Sequence, residues 1–89
     1  MRTYYAYHHA EPSPGCFIIR FYHSGGEIRG YIRQIGEPGQ KDEIFPGEEM
    51  QPEDAFRMAD NKNRGDRKRP IFIALSEGVQ WNPAWGRLI

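Results

Sequence analysis

The chain has 89 residues and a formal net charge of zero, with 38% hydrophobic and 27% charged residues. That length supports one small domain, residues 1–89, that buries somewhat over ~60% of the unfolded chain's surface, and the composition excludes wholesale disorder. Nothing approaches the ~18 apolar residues of a membrane-spanning helix, no leader-type apolar run opens the sequence, and a single cysteine, Cys16, excludes an internal disulfide; together these predict a soluble, cytoplasmic protein without a membrane partner.

A first strand is expected from Arg2 to His9, where Thr3, Tyr5, Tyr7 and His9 alternate with Tyr4, Ala6 and His8. Glu11-Pro12-Ser13-Pro14-Gly15 then turns the chain. Residues 17–24 and 27–35 form the most telling stretch, two strand-like runs joined by Gly25-Gly26. A two-residue Gly-Gly loop favours a tight hairpin, because its central residues adopt positive φ. The loop sets a register in which Tyr22 meets Arg29, Arg20 meets Tyr31 and Ile18 meets Arg33. On the other face Phe21 meets Gly30, Ile19 meets Ile32 and Phe17 meets Gln34. One face is thus a checkerboard of Arg and Tyr and the other mostly apolar; a one-residue slip would mix the two sets.

Residues 36–50, with Gly36, Pro38-Gly39 and Pro46-Gly47, read as a long acidic loop in which Ile44-Phe45 dips toward the core. Charge is segregated here. Residues 37–54 carry seven acids against Lys41 alone, and residues 57–69 carry six bases against Asp60 and Asp66. The plainest reading is a helix with acids at its start and bases at its end, complementing the macrodipole; a dipolar surface that orients a partner is the sharper one.

Gln51 to about Asn63 predicts the one helix: Pro52 suits its first position, Ala55, Phe56, Met58 and Ala59 give an apolar stripe, and Gly65 lies where a stop is expected. Ile71 to Leu75 is apolar at every position, the pattern of a central strand covered on both faces, with Pro70 tolerated only at its start. One helix covers one face. The other is expected to be capped by the tail carrying Trp81 and Trp85 or by a second copy, which predicts a homodimer. The fold expected is α+β: a small antiparallel sheet in β-β-β-α-β order, one helix packed on one face, an aromatic C-terminal tail, and a short edge hairpin through Glu77-Gly78. This order resembles many small α+β proteins, a likeness of fold that carries no function.

The chemistry-bearing residues point away from catalysis. His8, His9, Cys16 and His23 are zinc-ligand types, yet no CxxC, HxH or HExxH spacing is present, and Cys16 and His23 at opposite ends of one strand stand roughly 24 Å apart. Cys16, Ser13, Ser24 and Ser76 lack a nucleophile-elbow pattern. The glycines form no phosphate-binding motif. No cofactor is expected, and the chain reads as non-enzymatic. The candidate binding face is Arg20, Tyr22, Arg29, Tyr31 and Arg33, with Trp81 and Trp85 as a candidate partner-contact tail. A protein partner is the first reading. A nucleic-acid-binding module on the same face, with Lys62 to Arg69 extending the positive field, is the alternative, and zero net charge weighs against it.

Overall fold

A computed structural model describes residues 2–8, 12–64 and 69–89, the side chains of 46–48 excepted. The elements in chain order are β1 (Thr3–Ala6), β2 (Phe17–Ser24), β3 (Glu27–Gln34), β4 (Glu43–Met50), α1 (Pro52–Lys62), β5 (Ile71–Leu75), a 3-10 turn (Pro83–Trp85) and β6 (Arg87–Leu88). Among the described residues, six strands form one sheet in the order β4-β3-β2-β5-β1-β6, with a single helix. The fold is α+β.

The hairpin forms as its residues dictate. Gly25 and Gly26 take φ of 59° and 84°, and every pair expected from the loop is present, from Tyr22 with Arg29 to Phe17 with Gln34. Phe21 lies so close over Gly30 that a Cβ there would come within 2.9 Å of the Phe21 ring. α1 begins at Pro52, and its buried Ala55 and Ala59 let it sit close on β2 and β3 with Phe56 between.

Four features correct the sequence-based expectation. First, the sheet is mixed rather than antiparallel. β2-β3-β4 is an antiparallel meander, but β5 runs parallel to both its neighbours, β2 and β1, and β6 runs parallel to β1. β5 is the interior strand that its unbroken apolar run predicts, with Phe17, Ile19 and Phe21 of β2 level with Ile71, Ile73 and Leu75. Second, the supposed acidic loop of residues 36–50 contains β4, so four strands precede the helix. Pro46 and the acids are tolerated because β4 is an edge strand whose register slips between Gly30 and Ile32, and Pro, charge and bulges are the usual furniture of edges.

Third, no hairpin forms at Glu77-Gly78. Residues 76–79 make a turn closed by Val79 N–H to the Ser76 carbonyl (3.0 Å), and the chain runs on to place β6 beside β1. Fourth, the tryptophan tail does not cap the second face; it lies on the same side as the helix. Trp85 stacks on Phe21 at 5.0 Å, Trp81 meets Phe56 edge-on at 6.0 Å, and the two indoles meet at 5.2 Å. Trp81 Nε1 donates to the Gly86 carbonyl (3.0 Å), which satisfies its one polar group where the ring is half-buried. Large apolar rings gain most from joining the existing cluster of Tyr4, Phe21 and Phe56. Helix and tail together cover one face of the sheet.

The second face has its own small cluster at the β2–β5 junction: Ile18, Ala74 and Ile35, with Tyr7 and Phe72 packed against it. Toward β3 and β4 this face is polar and half-exposed.

Candidate functional site

Strand alternation puts Arg20 and Tyr22 of β2 on the second face together with Arg29, Tyr31 and Arg33 of β3, so the five residues expected to share a surface do share one. All five are intermediate in exposure. The Tyr22 and Tyr31 rings lie diagonally across the ladder with centroids 6.1 Å apart. On either side of Arg20 stand Tyr31 of β3 and the small Ala74 of β5.

Counter-ions set the electrostatics. Arg29 is ion-paired with Glu27. Asp42 accepts from the Arg33 guanidinium (2.9 Å) and from the Gly36 N–H (2.8 Å), which pins the start of the β4 segment beside β3. Ser24 Oγ donates to both oxygens of the Glu49 carboxylate (3.1 and 3.2 Å). The Tyr22 phenol, also hydrogen-bonded to Glu49, has its pKa pushed up, first by desolvation and then by Glu49 and Tyr31, with Arg29 acting in the opposite sense. Tyr22 is thus a neutral donor near pH 7, suited to hydrogen bonding. Arg20 has no counter-ion among the described residues.

Sequence reasoning missed these three acids. Glu27 is adjacent to the hairpin and lay within its reach, since the predicted pairing sets it opposite Ser24. Asp42 and Glu49 were hidden because they join the surface only when residues 43–50 are a strand. Ile44, 61% exposed and paired with Arg33, extends the face by the same route.

The remaining candidates are dispersed. Trp81 and Trp85 are half-buried on the covered side, and only Trp85 comes near the five, lining a shallow groove with Glu27 and Arg29 at the edge of the hairpin. Lys62 places its ammonium 3.8 Å from the Phe45 ring, on the covered side rather than on the second face; residues 65–68, the centre of the basic run, lie outside the described residues, as does His9. Cys16 is buried just before β2, while His23 near the other end donates from Nε2 to the Gly78 carbonyl (3.1 Å). Among the described residues no group of three or more His, Cys, Asp or Glu is placed to hold a metal ion, and no helix is long and apolar enough to cross a membrane. A groove of about 480 Å³ opens beside the end of α1, lined by Arg2, Asp60, Asn63 and Arg69 among others. Several of its polar groups are engaged with one another: Arg2 pairs with Asp60, and the Asn63 amide both donates to the Arg69 carbonyl (2.8 Å) and accepts from the Arg69 N–H (3.0 Å).

In comparisons with known proteins, no family model, no curated protein and no solved structure matches this chain.

Proposed function

We propose that this is a small non-enzymatic binding or accessory protein of the cytoplasm, and that it acts through the Arg/Tyr surface of the β2–β3 hairpin on a protein partner. The observation that carries the reading is the contrast across one hairpin. On its covered side Phe17, Ile19, Phe21 and Ile32 are buried in packing, while its other side presents half-exposed Tyr and Arg, the residue types that concentrate binding energy at protein interfaces, on a rigid sheet. A nucleic-acid reading of the same surface is weakened by Glu27, Asp42 and Glu49, which neutralise two of the three arginines and sit where phosphates would lie. The Trp81–Trp85 tail enters the proposal as support for the covered face and, through its exposed edges, as a secondary contact. A second copy of the chain is one form the partner takes in this proposal; sedimentation across a concentration series measures it.

Affinity capture with the wild-type chain, a Tyr31→Ser variant and an Arg57→Gln variant on the far side of the helix tests the surface directly. A partner retained by wild type and Arg57→Gln but lost by Tyr31→Ser supports the proposal; equal capture by all three sinks it. A parallel titration with an oligonucleotide at low and moderate salt discriminates the alternative, because phosphate contacts release counter-ions and fade with salt.

A further inference from the structure

The hairpin surface has a distinctive charge plan: a lone cation in its interior and carboxylates along its β3–β4 side. Arg29 and Arg33 are matched by Glu27 and Asp42, whereas Arg20, one strand further in, is matched by nothing among the described residues. Tyr31 stands directly across from it, Tyr22 is two residues along the same strand face, and Ala74 on its other side is too short to reach over it. The Glu49 carboxylate is held on Ser24, four residues along β2 from Arg20, about 13 Å at ordinary strand rise and so a little beyond one Debye length at 0.1 M salt.

This plan selects among anionic ligands. A nucleic-acid strand carries charges about every 3.4 Å of duplex axis, so a strand that places a phosphate on Arg20 and runs along the hairpin brings further phosphates toward Glu49 and Glu27 at the turn end or toward Asp42 at the other. A single carboxylate meets Arg20 without that cost, and a cation two or more residues along the same ligand, toward Ser24, then meets Glu49. Resting on the reading of this surface as a protein-contact face, we propose that it receives a protein segment that presents one isolated carboxylate to Arg20, flanked by basic residues. The guanidinium donates its paired N–H groups to the carboxylate, and the Tyr22 and Tyr31 rings bracket the backbone of the segment.

The probe is a capped peptide, acetyl-Lys-Ala-Asp-Ala-Lys-amide, compared with its Asn counterpart and with decathymidylate. Each is titrated into the full ¹⁵N-labelled chain while the Arg20 Nε–H signal is followed. The Asp peptide is expected to bind about five-fold more tightly than the Asn peptide, the scale of one exposed ion pair. Arg20→Gln should abolish the difference and Arg57→Gln should leave it intact. Equal affinities for the two peptides, a difference that survives Arg20→Gln, or tighter binding of decathymidylate than of the Asp peptide would each overturn the inference. Failure here with Tyr31→Ser still losing a captured partner removes only the carboxylate specificity; failure of both removes the surface itself.

Discussion

The two sides of the β2–β3 hairpin share one backbone and one set of hydrogen bonds, yet they are under different constraints. On the covered side Phe21, Ile19 and Ile32 have no measurable exposure and touch the helix and tail cluster. On the second side Ile18 is buried in the small β2–β5 cluster, but the Arg and Tyr residues are half-exposed, and their contacts are ion pairs, hydrogen bonds and the Tyr22–Tyr31 ring contact. Volume governs the first side and charge the second. A substitution should therefore act on stability in one case and on recognition in the other.

The sharpest way to break this comparison is Phe21→Ala. Removing a fully buried ring that contacts Phe56 and Trp85 should cost about 3–5 kcal/mol in chemical denaturation; a cost below about 1 kcal/mol would show that the covered side is not the core. Gly30→Ala comes next. Its new Cβ would lie 2.9 Å from the Phe21 ring, so overpacking should cost about 1–3 kcal/mol. In a double-mutant cycle with Phe21→Leu the two changes should be non-additive.

Alkaline pH gives a smaller, signed effect. Burial pushes the Tyr4 phenol above its ordinary value, with Arg2 acting against it, and Tyr22 is raised as well. A raised folded-state pKa means that the native protein holds the proton more tightly than the unfolded chain. The associated stability is complete below the unfolded pKa of about 10 and is lost as pH rises through the folded values. Urea midpoints should thus be flat between pH 8 and 9 in this contribution and fall above 10, and Tyr4→Phe should reduce the fall. Arg20→Gln should have the smallest effect on stability, within about 0.5 kcal/mol, because no ion pair is broken. A larger loss would place Arg20 in the architecture and blur the distinction between the two sides.

How far the sequence discloses this molecule depends on the range of the interactions involved. The hairpin was legible to the individual pair, because Gly25-Gly26 and the Phe21–Gly30 match are local signals. The helix was legible from Pro52 and its Ala-Phe-Ala stripe. The apolar run 71–75 announced an interior strand but not which strands it lies between, since parallel pairing to β1 and β2 is decided by contacts more than 50 residues apart. β4 was missed because the features that protect an edge strand, Pro46 and clustered acids, also mark a loop. That one omission hid the counter-ions Asp42 and Glu49, so the sequence revealed the cations of the candidate surface without their neutralisation.

The position of β5 has a consequence for how the chain is made. β1 is synthesised before the other described strands, but its two neighbours are β5 and β6, and β5 begins about 65 residues after β1 ends. At ~5–20 residues per second, translation leaves the Tyr4-Tyr5 segment without its sheet partners for roughly 3–13 s. The β2–β3–β4 meander and its helix can meanwhile assemble from near neighbours. Because within the sheet β6 pairs only with β1, and β1 pairs with the meander's side only through β5, the five residues of β5 carry all the strand pairing that joins β1 and β6 to the rest. Arrest or proteolysis just before Ile71 would leave a partly ordered meander carrying the Arg/Tyr surface beside a free tyrosine-rich strand, a species prone to pair with other copies through exposed edges.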